Sequence, residues 1–127
     1  MALVRGIRGA ITVKENEEEA ILNATERLLK KIIEANQIEA ENVCHVIITV
    51  TTDLNATFPA KALRRIDGWK YVPVMCATEI PVPNSLEKCI RLMLTVNTDK
   101  SQKEIHHVYL EEAVKLRPDL QLTNDEK

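Results

Sequence analysis

Aromatic side chains are scarce in this 127-residue chain, which has one Trp, two Tyr and one Phe. Proteins that hold single-stranded nucleic acid stack its bases on aromatic rings, so such a surface is not expected here. Lysine and arginine number 17 against 19 aspartate and glutamate, which gives a net charge of −2. A surface that binds nucleic acid through its phosphates is usually basic. The composition therefore predicts no nucleic-acid partner.

Cysteine and long apolar runs are also limited. The three cysteines, Cys44, Cys76 and Cys89, are odd in number, widely spaced and without a C-x-x-C pair. This pattern fits a reducing compartment better than a disulfide framework. The opening residues, MALVRGIRGA, are too short and too charged for a secretory signal, and no apolar run approaches the length of a membrane span. We predict a cytoplasmic protein with no membrane partner.

The length and the residue patterns predict a single α+β domain, with α/β-like features, over residues 1–127. Alternating or β-branched stretches predict five strands, over residues 3–13, 43–52, 69–76, 89–96 and 105–110. Gly6 and Gly9 in the first strand would allow another element to approach its backbone closely. The segment after the fifth strand is expected to be irregular, with a flexible tail over about 118–127.

Two helices are predicted between these strands. Apolar residues at helical spacing, including Ile21, Leu28 and Ile32, predict a long helix over residues 17–36 with Asn16 as its N-cap. Pro59 at a first helical position predicts a short helix over residues 59–66. One long helix can cover only one face of a five-stranded sheet.

The other sheet face would carry side chains too apolar for water, such as Ile47, Thr49, Met93 and Thr95. A second copy of the chain is the simplest cover for such a face. We therefore expect a closed homo-oligomer in which sheets pack against one another around a central axis.

Several charged or polar residues lie within this apolar framework. Alternation places Arg8 on one face with Gly6 and Ala10, while Arg91 lies in the middle of an apolar strand. Glu79 follows the third strand, Tyr109 lies near the end of the fifth, and Arg117 follows in the tail. Taken singly, each arginine and Glu79 is best explained as a strand-end residue or an ion-pair partner, and Tyr109 as an amphipathic core residue with its hydroxyl at the surface. Together, several cations with one acid predict a pocket for a small polyanionic metabolite.

Other chemistries have little support in the sequence. His45, His106 and His107 are the only histidines, and none stands at a metal-ligand spacing from cysteine or aspartate. The G-x-S-x-G, G-x-x-x-x-G-K-[ST] and G-x-G-x-x-G motifs do not occur. The predicted pocket thus has arginines and an acid but no activated nucleophile.

At these residues the sequence resembles the AroH class of chorismate mutases, the monofunctional bacterial type. The resemblance rests on VRGIRGAITV, FPAKALR, GWKYVPVMCATEIPVPNSLEKCIRLMLTV and HVYLEEAVKLRPDL, which together span Val4 to about Leu120. It implies a homotrimer of mixed sheets packed into a barrel-like core, with active sites at the subunit interfaces. It also implies the Claisen rearrangement of chorismate to prephenate, in phenylalanine and tyrosine biosynthesis. That pericyclic reaction requires no metal or cofactor; it requires a restrained dianion and positive charge at the breaking ether bond.

The resemblance further implies a role for each candidate residue. Arg91 would stabilise the ether oxygen and a neighbouring carboxylate, and Arg8 with Tyr109 would bind the carboxylate of the enolpyruvyl side chain. Glu79 would accept a hydrogen bond from the ring hydroxyl, which Cys76 would also contact. The pocket lining would be Phe58, Ala60, Val74 and Met75, and the cationic rim Lys61, Arg64 and Arg117. The segment from Phe58 to Arg64 is expected from one subunit and that from Val74 to Arg91 from its neighbour.

Two residues depart from the pattern of that family. Thr78 stands where Gln is common, and Asn84 stands where Gly is common. Asparagine is the next-best residue for a left-handed turn, so the second change is expected to be mild. Neither departure falls on a residue with an implied catalytic role.

Two alternative functions remain open from the sequence. A trimer could bind a small anionic metabolite as a sensor or regulator without transforming it, with the arginines as anchors. A trimer that hydrolyses reactive enamines or imines could share the same kind of interface pocket. The decay of the ultraviolet absorbance of added chorismate would separate a mutase from the metabolite-binding protein, and affinity for a bicyclic mimic of the transition state would separate it from the hydrolase.

Overall fold

The computed structural model describes residues 3–116. Its strands are β1 (Leu3–Thr12), β2 (Val43–Val50), β3 (Val74–Thr78), β4 (Cys89–Thr98) and β5 (Val108–Leu110), and its α-helix is α1 (Glu18–Asn36). Short 3₁₀ helices occupy Ala40–Asn42, Pro59–Arg65, Gln102–Glu104 and Glu111–Lys115. Within this range no helix is both long enough and apolar enough to cross a bilayer.

The five strands form one sheet in the order β3-β2-β4-β1-β5. Strand β4 pairs antiparallel with both β1 and β2, whereas β5 runs parallel to β1 and β3 runs parallel to β2. The sheet is therefore mixed, and the α+β class predicted from the sequence is confirmed. Strand β4 is central, and β2, β4 and β1 each have a neighbouring strand on both sides.

Helix α1 covers one face of the sheet and builds the main core with it. Gly9 of β1 allows the close approach, since a Cβ atom there would lie 2.7 Å from Cδ1 of Ile32 and 3.0 Å from the carbonyl oxygen of Val108. The first distance is shorter than a Cβ atom tolerates and the second is tighter than most Cβ contacts, so the prediction for Gly9 is confirmed. The fully buried side chains of this core include Ile7, Ile11, Ile21, Leu28, Leu29, Ile32, Val46, Ile48, Ile90, Leu92 and Leu94.

Most of the opposite face of the sheet lies open to solvent in the single chain; the Glu111–Lys115 helix covers the part around Ala10 and Tyr109. Its apolar residues keep large exposed fractions, 62% at Val4, 43% at Ile47, 75% at Met75 and 39% at Met93. Apolar groups of this size on a flat sheet face lose free energy by contact with water. The uncovered face expected from the sequence is therefore present.

Two strand predictions were wrong at their starts. Strand β3 begins at Val74, not at Trp69, because the N–H of Val72 donates to the Trp69 carbonyl at 3.1 Å and closes a turn before Pro73. Trp69 lies in this turn, and its side chain, only 3% exposed, packs in the main core. Strand β5 begins at Val108, not at Ile105.

The helix ends also differ from the prediction. Glu17, rather than Asn16, occupies the N-cap position of α1, without a side-chain cap. Oδ1 of Asn16 instead accepts hydrogen bonds from the N–H groups of Asn55 and Ala56, at 3.0 and 3.1 Å, and so ties the 51–57 loop to the helix start. The predicted short helix is a 3₁₀ helix over Pro59–Arg65. Asn84 has φ of 66°, which confirms the left-handed turn expected there.

Candidate active site

The pairing of the strands brings the predicted polar residues onto the uncovered face. Tyr109 of β5 pairs with Ala10 of β1, Ala10 pairs with Arg91 of β4, and Arg91 pairs with Thr49 of β2. Residues that pair directly across strands point to the same side of a sheet. Arg8 lies one step along this face, opposite Met93. Four strands thus deliver one row of side chains to one place.

Arg91 is paired with Glu79 at the centre of this face. Its Nη1 atom lies 3.3 Å from Oε2 and 3.4 Å from Oε1 of Glu79. The backbone N–H of Glu79 donates to the Val50 carbonyl at 2.9 Å, which fixes the residue just beyond the end of β3. The hydroxyl of Thr49 donates to Oε2 of the same carboxylate. Both ion-pair side chains are partly exposed, 38% for Arg91 and 23% for Glu79, so a ligand can reach them.

Arg8 is held at two points by the segment that leads into β5. Its Nε donates to the hydroxyl of Tyr109 at 3.1 Å, and its backbone N–H donates to Nδ1 of His107 at 3.0 Å. Tyr109 is itself 3% exposed, in a second small core that includes Ala10 and Ala113. The Glu111–Lys115 helix covers this second core and therefore stabilises the tyrosine. The structure thus brings Arg8 and Tyr109 into contact, and their joint role in binding a carboxylate stays a prediction.

These groups line a shallow cavity of about 160 Å³. Pockets for small molecules usually measure roughly 300–1,000 Å³, so one chain supplies only part of such a pocket. Two guanidinium groups and one carboxylate leave a net positive charge, which suits an anionic ligand. The cavity is lined by Arg8, Ile47, Thr49, Glu79, Arg91, Leu92 and Met93.

Cys89 lies buried near Arg91 but is not a nucleophile. Burial raises the pKa of its thiol from 9.0 to about 11, with a smaller opposing effect from the Arg91 charge. The thiol is therefore protonated at neutral pH and unreactive as a thiolate. Within residues 3–116, no cluster of three or more His, Cys, Asp or Glu side chains could hold a metal ion.

Two of the predicted pocket residues point away from this cavity. Val74 and Cys76 pair with Val46 and Ile48 of β2, and their side chains pack against the main core on the helix-covered face. Met75, between them, pairs with Ile47 and lies on the open face. The structure thus does not bring the Cys76 thiol to Arg91, because alternation along β3 sends it to the opposite side of the sheet.

The residues predicted from the Pro59–Arg65 segment also lie away from the Arg91 cavity of their own chain. Phe58 is 70% exposed, and Ala60 packs against the main core. Nζ of Lys61 lies 3.3 Å from Oε2 of Glu18 at the start of α1, and Arg64 is exposed. Arg117 lies outside the described residues.

Sequence reasoning missed two residues that contact the candidate site. Thr49 was expected on the open face but was given no role, although its hydroxyl contacts Glu79. His107 was considered only as a metal ligand, whereas its ring accepts the N–H of Arg8. Register alone could have placed Thr49 beside Arg91; nothing local to His107 indicated its contact with Arg8, 99 residues away in sequence.

The fold and this site define a small α+β protein whose partly exposed cavity has a charge suited to an anionic molecule and no nucleophile among the groups described. Residues 4–120 match the family model described as chorismate mutase type I, and the chain belongs to this family. It is 54% identical over 123 residues to chorismate mutase AroH of Bacillus subtilis, covering 97% of each chain. It is also 54% identical to chorismate mutase AroH of Thermus thermophilus, covering 94% of this chain and 98% of that one. A solved chorismate mutase from Clostridium thermocellum superposes with a TM-score of 0.83 at 50% identity, covering 86% of this chain and 96% of that one.

Proposed function

We propose that the cavity around Arg91 is where this chain, as a chorismate mutase, rearranges chorismate to prephenate. The reaction is assigned from membership of the family, and it belongs to the biosynthesis of phenylalanine and tyrosine. The observation that carries the location is the Arg91–Glu79–Thr49 group on the open sheet face, with Arg8 and Tyr109 beside it. The rearrangement is unimolecular, so a pocket of fixed charges without a nucleophile suits it.

Arg91 is the group that stabilises the developing charge. Its ion pair with Glu79 uses Nη1, and a guanidinium carries five N–H donors in a planar fork. The remaining donors can therefore bind the ether oxygen and an adjacent carboxylate while Glu79 keeps the side chain oriented. Because negative charge on the ether oxygen grows only as the bond breaks, this contact strengthens in the transition state.

Glu79 and Thr49 act together on the ring hydroxyl of the substrate. An ionised carboxylate only accepts hydrogen bonds, so Glu79 can accept one from the hydroxyl while it pairs with Arg91. The hydroxyl of Thr49 holds Oε2 in place from the other side. This arrangement would fix one end of chorismate.

Arg8 and Tyr109 bind the carboxylate of the enolpyruvyl side chain. The Tyr109 hydroxyl accepts from Nε of Arg8, which leaves its own O–H proton able to donate to a carboxylate oxygen. Holding this carboxylate restrains a flexible side chain in the folded conformation that the reaction needs.

Cys76 contributes through its backbone rather than its thiol. Strand β3 is at the edge of the sheet, and the N–H of Glu79 donates a hydrogen bond to the Val50 carbonyl of β2. In a parallel pair alternate residues bond the same neighbour, so the N–H groups of Cys76 and Thr78 point to the open edge. The Cys76 N–H can therefore donate to the ring hydroxyl although its side chain faces the core.

A homotrimer with barrel-like packing of the sheets would complete the pocket. The part-sized cavity, the uncovered apolar face and the exposed Phe58 all favour a second chain against this face. The neighbour would supply Phe58, Ala60, Lys61 and Arg64, which lie away from the cavity of their own chain. Arg117 as a rim residue and the cytoplasm as the compartment stay predictions. Light scattering that gives the mass of one chain at every dilution would refute the trimer.

The function is tested by adding chorismate to the purified protein and following its ultraviolet absorbance. We expect decay at a rate proportional to enzyme concentration, with prephenate as the product. Unchanged absorbance together with tight binding of chorismate would indicate a metabolite-binding protein instead. A hydrolase of enamines or imines would leave chorismate intact and would not bind a bicyclic mimic of the transition state.

A further inference from the structure

The N–H of Arg8 lies just beyond the end of the β1–β5 ladder. Pairing of these strands starts at Gly9 with Val108, so no β5 carbonyl stands opposite the Arg8 N–H. A backbone donor within a sheet requires an acceptor, and the imidazole of His107 supplies it through Nδ1 at 3.0 Å. The side chain of the residue before β5 thus replaces the missing carbonyl and extends the ladder by one hydrogen bond.

The backbone before His107 is clamped by Asn36 at the end of α1. Nδ2 of Asn36 donates to the His106 carbonyl, and Oδ1 accepts from the His106 N–H, both at 2.8 Å. Asn36 is 5% exposed, and its own carbonyl accepts from Nζ of Lys100 at 3.0 Å. A buried amide that binds both polar groups of one residue fixes that residue firmly. The last turn of the helix therefore holds the backbone directly before His107.

We propose that His107 is a positioning residue for Arg8. The backbone of Arg8 is bound to His107 and its side chain to Tyr109, so residues two apart on one segment hold the arginine at two points. Without the hydrogen bond to His107, the β1 backbone at Arg8 could move. The guanidinium would then shift, because only its contact with Tyr109 would still hold it. The inference rests on the proposed function, in which Arg8 binds a substrate carboxylate. In this contact Nδ1 of His107 acts as the hydrogen-bond acceptor.

The expected effect is on substrate binding more than on turnover. Arg8 contacts a carboxylate present in both the ground state and the transition state, so its displacement mainly raises KM. The His107→Leu variant removes the acceptor at similar size, and we expect KM to rise about five- to tenfold with kcat within about twofold. The His107→Asn variant places its Oδ1 at the position of Nδ1 and should restore KM to within about twofold of wild type.

A double-mutant cycle separates positioning from a general structural role. If His107 acts through Arg8, His107→Leu should have no further effect on kcat/KM in the Arg8→Ala background. If Arg8→Ala turns over too slowly for kcat/KM to be measured, the cycle is built from affinities for a bicyclic dicarboxylate mimic of the transition state, measured by calorimetry. Circular dichroism and thermal unfolding check that each variant is folded.

Three results would overturn the proposal: an unchanged KM in His107→Leu, a loss that His107→Asn does not restore, or an equal loss in the Arg8→Ala background. If His107→Leu does not fold, His107→Gln takes its place in the test. The glutamine amide reaches the position of Nε2 rather than that of Nδ1, so His107→Gln should raise KM whereas His107→Asn should not. Absence of chorismate turnover by the wild-type chain would overturn the proposed function, whereas wild-type turnover with indifferent His107 variants would overturn only the positioning role.

Discussion

Replacing Arg91 by a neutral isostere of arginine separates the charge of its guanidinium from its shape. The residue lies near the start of β4, paired with Ala10 on one side and Thr49 on the other, and its Nη1 lies 3.3 Å from Oε2 of Glu79. An isostere keeps the length, planarity and most donors of the side chain. It therefore preserves the packing on the open face while it removes the positive charge.

The magnitude follows from a charge at hydrogen-bond distance. A full charge about 3 Å from an oxygen that gains about half a charge contributes roughly 3 kcal/mol at an effective dielectric constant near 20. Such an amount corresponds to about 10²-fold in rate. Removal of one preorganised donor typically costs about 10²–10³-fold, so we expect the neutral isostere to lose at least that much kcat and to fail as badly as Arg91→Ala. Arg91→Lys keeps a charge but loses the planar fork, and should stay severely impaired.

The assay is the initial rate of chorismate disappearance at saturating substrate, on protein checked for native mass and unfolding temperature. Arg5 offers a matched control, because it is also an arginine within a strand of the same sheet, but it belongs to β1 and its Nε donates to the Lys100 carbonyl at 3.0 Å, away from the cavity. The same isostere at Arg5 should leave kcat unchanged. Near-normal kcat for the Arg91 isostere in folded protein would mean that positioning alone drives catalysis, and the electrostatic interpretation would be wrong.

Three further predictions concern other groups. Thr49→Val removes the donor to Glu79 and should lower kcat/KM about three- to tenfold, with Thr49→Ser restoring it; equal rates for all three proteins would remove Thr49 from the site. Asn84 has φ of 66°, so Asn84→Val should lower stability by about 1–2 kcal/mol in thermal unfolding while Asn84→Gly stays within about 0.5 kcal/mol; similar losses in both would contradict this account. The folded pKa of Cys89 is raised to about 11, above its ordinary value of 9.0, so its contribution to stability is complete below pH 9 and is lost as pH rises toward 11. In the Cys89→Ala variant the unfolding temperature should therefore decrease less steeply between pH 9 and pH 11 than in the wild type. An equal decrease in both proteins would mean that other groups cause it.

Local patterns determined much of the fold in advance. Alternation along β1 predicted that Arg8 points to the other face of the sheet from Ile7 and Ile11, which are buried. Apolar residues at helical spacing predicted which face of α1 is buried. Gly9 indicated a close approach that α1 makes. These features follow from the sequence because side-chain direction within one strand or helix depends only on the repeat of the backbone.

The errors arose where a distant contact outweighed a local preference. Trp69 has a high strand propensity, yet burial of its ring in the core holds it in a turn. Asn16 is a good N-cap residue, yet its side chain binds the backbone of Asn55 and Ala56, some 40 residues away. Local propensity amounts to less than about 1 kcal/mol per residue, which one tertiary contact can exceed.

The sequence by itself determined which residue types could form the site and, along β1 and β4, which side chains would share a face. Only the tertiary structure decided their partners, because strand register sets which residues meet across the sheet. It placed Glu79 beside Arg91 and Thr49, turned the Cys76 thiol toward the core, and brought His107 to the N–H of Arg8. A shift of the register by one residue would leave every local pattern intact and send each of these side chains to the other face.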